Sequence, residues 1–584
     1  MRNWLACQGV TVAACWRVDA GRTITAFRLS RRFPETAEPR RDPWNRHFAG
    51  ALALCDARHR VPPGSVGKSE SCNSQTFYLD IQETREDNAI MEIFTHLRQL
   101  GRDTVFYGLG SVLGKFIGLF LFPIYTRTLT QEAFGEQDLV FTAIIVTSYV
   151  LALGLDAGTA RHYFDAETPA DRTKILSTWL WFQVCTSVPI CMLLIGFAEP
   201  LCTAIFNDPA LAPFLRVGLA TLPFTLVTSV ALLSLRLTFQ SHKFAIISAA
   251  GVLVHGLAAI CLVAILRMGV MGVFLAYLIA SVFRAALGIG FTHRHFRPVF
   301  SKSWLMPILA FGVPLVPASL SLWVLNYSNR YFLVRFGTLS DIALLGVGVR
   351  VSSIVTLGIS AFQIAWGPFA YSLMNDESLA RATYSRVLTY FLLVSFVGTV
   401  GVGVFAREAV LVLATPSYES SASVVSWLCY GSIAWGASYI VGIGYGIAKK
   451  SYHATISTLL AAVVNTGLNF LLIPKWGIAG AAASSMWGSL TALVYGYCAA
   501  QRYLPVKYEF RKVFTLLGAA TTIICAGILV DRSLPSWSPI VLLLKLLLSA
   551  MFVLSLFVLG AISREEVTRV RAYLVSTLAG SGVR

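Results

Sequence analysis

The sequence TVFYGLGSVLGKFIGLFLFPIYTR, residues 104–127, is an apolar stretch with a single cation, Lys115, near its middle. Its length suits one membrane crossing, since about 20 apolar residues span the hydrocarbon core of a bilayer. A lysine at that depth is costly unless it faces protein or water, so the position predicts a functional role. The number of further apolar stretches, and the positions of charged residues within them, decide what the rest of the chain is.

The composition of the whole chain is typical of a helical membrane protein. Of its 584 residues, 56% are hydrophobic and 13% are charged, about half the charged fraction of a soluble domain. The apolar runs are continuous, which favours membrane helices over the alternating strands of a β-barrel. The net charge of +17 fits the basic cytoplasmic loops of membrane proteins. We therefore expect a lipid bilayer as partner, and no nucleic acid.

Two further features limit the interpretation. The sequence has eleven cysteines but no CxxC pair, so it predicts neither a metal site nor a disulfide framework. We also expect no cofactor. Residues 1–90 contain no stretch long enough to span, and they hold 13 Lys/Arg and 10 Asp/Glu. We expect them to be a disordered extension, or the product of a start codon chosen too early with Met91 as the natural start.

From Met91 onward the sequence predicts an all-α integral membrane protein with about fourteen transmembrane helices. A short apolar piece at 409–413 is assigned to the helix before it. Of the Lys and Arg residues outside the spans, 22 fall on one side and 7 on the other, which predicts that both termini are cytoplasmic. The predicted spans are 104–126, 137–158, 175–197, 214–235, 244–266, 270–292, 304–325, 340–371, 384–405, 422–447, 452–473, 477–501, 513–530 and 538–562.

An internal repeat divides these spans. Gly269 and Gly272 match Gly477 and Gly480 at an offset of 208 residues. Basic residues that follow spans also recur in pairs at this offset. The pattern predicts two pseudo-symmetric six-helix bundles, residues 91–300 and 301–504, after the extension at 1–90. Residues 505–584 would add two helices and a basic cytoplasmic tail. In transporters built from such parallel repeats, the cargo path lies between the two bundles. A chance match of glycine-rich loops is the alternative.

The charges within the spans are mostly basic. Lys115, Arg284 and Arg350 lie inside spans, whereas the carboxylates Asp138 and Asp156 lie near the ends of the second span. We therefore expect no acid to pair with the interior bases, and a water-filled cavity that attracts an anion. The alternative for each base is that it reaches out to the membrane interface. That alternative suits Arg216 and Lys545 better than Lys115 and Arg350.

Four stretches carry a resemblance to a known family. They are GLGSVLGKFIGLFLFPIYTRTLTQEAFGEQDL at 108–139, LGLDAGTARHYFD at 153–165, FGVPLVPASLSLWVLNYSNRYFLVRFG at 311–337 and AFQIAWGPFAYS at 361–372. Together the chain resembles polysaccharide and oligosaccharide flippases of the multidrug/oligosaccharidyl-lipid/polysaccharide exporter superfamily, over roughly residues 91–504. Lys115 stands where members carry a basic residue in the first span. The pair Asn329–Arg330 departs from the Asp–Arg expected there.

The resemblance implies alternating access around a central cationic cavity between the two bundles. The passenger would be a polyprenyl-diphosphate-linked saccharide that crosses the bacterial inner membrane for surface polysaccharide biosynthesis, and a polysaccharide polymerase machinery is a further candidate partner. The diphosphate would bind Lys115, Arg284 and Arg350. The saccharide would meet residues lining the cavity, namely Asn326, Gln363, Trp366 and Asn465.

Two other functions remain open at the level of the sequence. A cation-coupled multidrug exporter of the same superfamily would want a central carboxylate for a cationic drug, and none is expected here. A membrane glycosyltransferase or polymerase would want a large outer loop with a catalytic constellation, whereas the outer loops are short. We therefore expect a transporter rather than an enzyme.

Overall fold

The computed structural model describes residues 121–374, 377–534 and 538–558. Every regular element within these ranges is a helix, so the prediction of an all-α fold is confirmed. Lys115, the extension at 1–90 and the tail after residue 558 lie outside the described residues.

The first half of the described chain, up to residue 300, begins with the helical residues 121–128 and then contains eight complete α-helices. They are α1 (Gln131–Ala152), α2 (Leu155–Tyr163), α3 (Pro169–Gly196), α4 (Ala198–Phe206), α5 (Ala212–Ala220), α6 (Leu222–Leu237), α7 (Ser241–Ala259) and α8 (Gly269–Thr292). A π-helical turn at Ile260–Ile265 extends α7.

The second half and the C-terminal segment contain the remaining eleven. They are α9 (Lys302–Gly312), α10 (Val316–Tyr327), α11 (Asn329–Phe336), α12 (Leu339–Ser372), α13 (Glu377–Val404), α14 (Ala406–Leu413), α15 (Ala422–Val441), α16 (Ile443–Ile447), α17 (Tyr452–Ala500), α18 (Phe510–Ser533) and α19 (Pro539–Val558). The helices α18 and α19 pack on each other and on α13 of the second half.

The offset of 208 residues recurs in local structure. The side chain of Thr130 accepts a hydrogen bond from the backbone at the start of α1, and Thr338 does the same for α12. Such caps satisfy backbone N–H groups that have no partner inside the helix. Gly269 and Gly477 both have left-handed backbone, with φ of 59° and 52°. Equivalent positions of the two halves therefore share a threonine cap at the start of a helix and a glycine with positive φ at a turn.

The helix α17 contains two of the predicted crossings. Gly477, with φ 52° and ψ −126°, interrupts it three residues after Pro474. The chain reverses there, and the Ser457 hydroxyl donates to the carbonyl of Ala492 at 3.1 Å. The predicted spans 452–473 and 477–501 thus form an antiparallel hairpin. A left-handed conformation favours glycine because it has no Cβ.

Twelve helices among the described residues are long and apolar enough to cross a membrane. One of the twelve is the α17 hairpin, and the predicted first crossing lies mostly outside the described residues, so the count of fourteen stays a prediction. The helices expose apolar side chains as a bilayer requires; on α19, Leu543, Leu546 and Leu547 are 58%, 58% and 56% exposed. The chain is a multi-pass membrane protein.

The two halves meet along the second predicted crossing. The helix α1 packs on α12, and α2 packs on α9. Near the α2 end, a Cβ on either Gly154 or Gly312 would overlap the other's carbonyl oxygen, so the two backbones are in close contact. At the start of α1, a Cβ on Gly135 would likewise overlap the carbonyl oxygen of Leu339 on α12, so close backbone packing joins the halves at both ends of α1.

Candidate functional site

A buried ion pair joins the two halves near the start of α1. Nε of Arg330, on α11, donates to Oδ2 of Asp138, on α1, at 2.9 Å, and the two side chains are 5% and 18% exposed. Nη1 of Arg330 also donates to the carbonyl of Asn326 at 2.7 Å. Burial makes such a pair stronger electrostatically than one in water, and costly to leave incomplete.

A second arginine meets the same face of α1. The guanidinium carbon of Arg350, on α12, lies 4.8 Å and 4.7 Å from the ring centres of Phe122 and Phe134. Phe134 lies one turn before Asp138 on α1, and Asp138 also interacts electrostatically with Arg350. Aromatic faces attract a cation more strongly when water is excluded. We call Arg330, Arg350, Asp138, Phe122 and Phe134 the arginine junction.

The arginine junction brings together positions that the offset of 208 makes equivalent. At the offset of 208, Asp138 corresponds to Gly346, and a Cβ on Gly346 would lie 3.5 Å from Oδ2 of Asp138. Equivalent residues contact one another only beside a two-fold axis. The same offset relates Arg330 to Phe122, and Arg350 to a threonine. Both bases of the junction therefore come from the second half alone.

A polar cavity of about 340 Å³ borders Arg330 within the second half. It is lined by α10, α11, α12, α15 and the part of α17 that follows Gly477. Its polar lining residues are Asn326, Asn329, Arg330, Ser352, Ser353, Thr356, Ser360, Gln363, Ser432, Ser485 and Ser489. Hydroxyl and amide groups of this kind can hydrogen-bond water or a hydroxylated ligand.

A network of amide side chains closes the inner wall of this cavity. Asn465 and Asn469 are fully buried. Nδ2 of Asn469 donates to the amide oxygens of Asn329 at 2.9 Å and Asn465 at 3.1 Å. The hydroxyl of Ser328 donates to Asn465 at 3.2 Å. The network therefore fixes the α10–α11 corner against α17.

The residues predicted to contact the saccharide occupy different places. Asn326 and Gln363 line the polar cavity, whereas Asn465 lies in the amide network behind it. Trp366 is 4% exposed, stacks on Phe362 and donates from Nε1 to the carbonyl of Tyr439 at 3.3 Å. It belongs to the hydrophobic core of the second half. The assignment of these four residues to a ligand stays a prediction.

The residues predicted to bind the diphosphate are also separated. Arg350 is in the arginine junction, and Lys115 lies outside the described residues. The aliphatic part of Arg284 packs on Gly251, between α7 and α8. Its neighbour His255 stacks edge-on against Tyr277 with 4.5 Å between ring centres. The structure therefore keeps Arg284 in the wall of the first half and brings Arg330 to Arg350 instead.

The expectation for Lys545 is wrong. It does not reach the membrane interface but is fully buried, with Nζ 2.7 Å from both carboxylate oxygens of Glu408 and 2.6 Å from Oδ1 of Asp531. Glu408 lies in α14, and Asp531 lies just after the predicted end of a span. The general expectation of interior bases without acids fails here, because folding brings carboxylates from span ends to a lysine inside a helix.

Sequence reasoning did not assign Arg330 and Asp138 to a site. In the sequence, Arg330 lies outside the predicted spans and Asp138 lies near a span end. The signal that could have found Arg330 is its repeat position, because an arginine stands where the first half has Phe122.

The sequence model of the family described as polysaccharide biosynthesis protein matches residues 124–423, about half of the chain. The chain belongs to this family. The match includes both arginines and the carboxylate of the junction. A relative in Haemophilus influenzae, the Lsg locus putative protein 1, is 21% identical over 295 residues, covering 50% of this chain and 71% of the relative.

The fold of this family member is shared with solved membrane transporters. An inward closed structure of the lipid II flippase MurJ is 13% identical, with a TM-score of 0.56, covering 77% of this chain and 97% of that one. An inward-facing multidrug resistance MATE transporter of the MOP superfamily is 15% identical, with a TM-score of 0.55, covering 69% and 94%. At this identity, the likeness shows the fold.

Proposed function

We propose that this protein is a flippase that moves a polyprenyl-diphosphate-linked saccharide across the bacterial inner membrane for surface polysaccharide biosynthesis, by alternating access around a cationic cavity. The observation that carries the proposal is the arginine junction. Its described residues place two guanidinium groups at the meeting point of the halves, one paired with the carboxylate of Asp138 and the other on the ring of Phe134. A diphosphate, with an ionised group on each phosphorus, matches this excess of charge.

The family and the fold support the transport part of this proposal. Membership in the polysaccharide biosynthesis family links the chain to saccharide assembly, and the fold is that of a lipid II flippase and of multidrug exporters. Lipid II is itself a lipid-linked saccharide, so a related passenger is chemically consistent. We further propose cytoplasmic termini, with the prenyl chain remaining in lipid between the two bundles.

The roles within the site follow from the chemistry of each residue. Arg350 is held by aromatic faces, which leave its planar N–H groups able to grip phosphate oxygens in pairs. Lys115 would add a point charge from the first span. Asn326 and Gln363, in the wall of the polar cavity, are placed to hydrogen-bond saccharide hydroxyl groups.

A multidrug exporter is the competing function, since MATE transporters share the fold. A cationic drug would need a carboxylate that is not already neutralised. Among the described residues, Asp138 is paired with Arg330, and Glu408 is paired with Lys545. The charge of the site therefore favours an anionic passenger.

Replacement of Arg350 by Ala tests the proposal. In a strain lacking the native gene, the variant should fail to restore surface polysaccharide, and the lipid-linked saccharide should accumulate on the cytoplasmic leaflet. Lys115→Ala should do the same. The matched control is Arg216→Ala, because Arg216 forms an exposed pair with Glu199 inside the first half.

Membrane levels of all variants should be equal by immunoblot. Full restoration of the polysaccharide by both Arg350→Ala and Lys115→Ala would contradict the proposal. Loss of resistance to cationic dyes in the deletion strain, with normal polysaccharide, would favour the exporter instead.

A further inference from the structure

We infer that the carboxylate of Asp138 occupies the anion-binding position of Arg330 while the cargo is absent. The diphosphate of the cargo displaces Asp138 from Arg330 and so breaks the ion pair that joins the halves. This inference rests on the proposed function and adds Arg330 to the binding residues. It makes the arrival of the cargo the event that loosens the contact between the bundles.

The position of Arg330 supports a change of partner. Its side chain bonds to Asp138 and also lines the polar cavity. Nε bonds to Asp138, and Nη1 bonds to the carbonyl of Asn326. A phosphate oxygen that enters from the cavity and displaces Asp138 would take over the bond to Nε.

The electrostatics of the junction make the exchange favourable. Asp138 bonds to Arg330 and also acts on Arg350 through space. One carboxylate therefore serves two guanidinium groups, and it can neutralise only one. A diphosphate has an anionic group for each, and bidentate contacts to arginine are stronger than a single Nε bond. The better-matched anion displaces the weaker one.

The mechanical consequence depends on where the ion pair lies. Asp138 is in the first half and Arg330 in the second, near the start of α1. Beyond the end of α1, the backbones of Gly154 and Gly312 are in direct contact. Near the start of α1, the backbones of Gly135 and Leu339 are also in direct contact. Loss of the ion pair would therefore remove the charged contact that lies between these two backbone contacts and weaken the interface there. A ligand shifts a conformational equilibrium only through such a difference in affinity between states.

Coupling of this kind is reciprocal, which makes it measurable. If anion binding opposes the Asp138–Arg330 pair, then the pair opposes anion binding by the same factor. Asp138→Asn removes the competing charge but keeps the shape of the side chain. It should therefore raise the affinity for an anion, whereas most substitutions in a binding site lower it.

The experiment uses the full chain, purified in lipid nanodiscs, with inorganic pyrophosphate as the probe and calorimetry as the readout. D138N should bind pyrophosphate about tenfold more tightly than the unmodified protein, within the usual range of coupling between two sites. R330Q should bind more weakly, and adding D138N to R330Q should give no further gain. The control E199Q removes a carboxylate from an exposed pair within one half and should leave the affinity unchanged.

Hydrogen–deuterium exchange supplies a second readout. Pyrophosphate should speed exchange in the first turns of α1 in the unmodified protein, and D138N should show the faster exchange without ligand. Affinity of D138N equal to or below that of the unmodified protein, or slower exchange in α1 on binding, would overturn the inference alone if Arg350→Ala still abolishes translocation. Failure of every variant to bind pyrophosphate would overturn the anion site as well.

Discussion

The described part of the chain contains two buried ionic clusters, one with more bases than acids and the other with more acids than bases. The arginine junction has two bases and one acid, and it borders a polar cavity. The cluster of Lys545, Glu408 and Asp531 has one base and two acids, and its lysine is fully enclosed. The first joins the two halves, and the second attaches α19 to α14 and α18. The arginine junction is therefore suited to an exchange of ionic partners, whereas the Lys545 cluster is suited to holding helices together.

Their surroundings explain the contrast. Asp531 is held further by its own backbone, since its carbonyl accepts from Nη1 of Arg407 at 2.9 Å. Lys545 faces inward from a helix whose other face exposes leucines. A charge in such a place is stable only with its partners. Arg330, by contrast, has an open cavity beside it, so another group can replace its carboxylate without exposing the arginine to lipid.

The largest effect is expected at the enclosed cluster. Lys545→Met would leave Glu408 and Asp531 buried without their shared cation, and breaking a buried pair in this way costs about 3–5 kcal/mol. Unfolding by SDS, followed by circular dichroism, should show the loss. The exposed Lys450 provides the control, because Lys450→Met should leave the curve unchanged. An unaltered curve for Lys545→Met would remove the structural role assigned to this cluster.

An intermediate effect is expected at the arginine junction. Arg330→Gln leaves Asp138 without its direct partner, but that carboxylate is 18% exposed and lies beside a polar cavity. The expected loss is about 1–2 kcal/mol, between the values for exposed and enclosed pairs. The same unfolding assay measures it. A loss as large as that of Lys545→Met would mean that the junction is as closed as the other cluster.

The smallest effect is expected for a pair in contact with solvent. Arg216 and Glu199 lie 2.7 Å apart with side chains 41% and 63% exposed. Glu199→Gln should change the free energy of unfolding by about 0.5 kcal/mol or less. Raising the salt concentration should reduce even this difference, because exposed charges are screened. A large effect here would show that the exposure of an ion pair does not determine how much its loss changes the free energy of unfolding.

Much of the fold could be predicted because it depends on local sequence. The span predicted at 340–371 is the helix Leu339–Ser372, and the reversal between 473 and 477 occurs at Gly477. Length and hydrophobicity decide such spans in a bilayer. The glycine offset was visible because a left-handed turn restricts the residue that occupies it.

The partners of the charges could not be predicted in the same way. Glu408 and Lys545 are 137 residues apart, and their contact depends on α14 forming a helix of its own after α13. The assignment of the piece 409–413 to the preceding helix is wrong, because the structure has a separate helix at Ala406–Leu413 that contains Glu408. Arg330 and Asp138 are 192 residues apart and meet only when the halves close around their axis. Ion pairs between helices follow from packing, which hydropathy does not encode.

The contact between Asp138 and Gly346 has a consequence for directionality. A duplicated protein with identical residues at its axis would offer a ligand the same grip from either lobe. Here one lobe contributes the guanidinium groups, and the other contributes rings and a carboxylate. An anion bound by both arginines would stay with the second half when the two halves separate. The same half would therefore carry the anion in every conformational change.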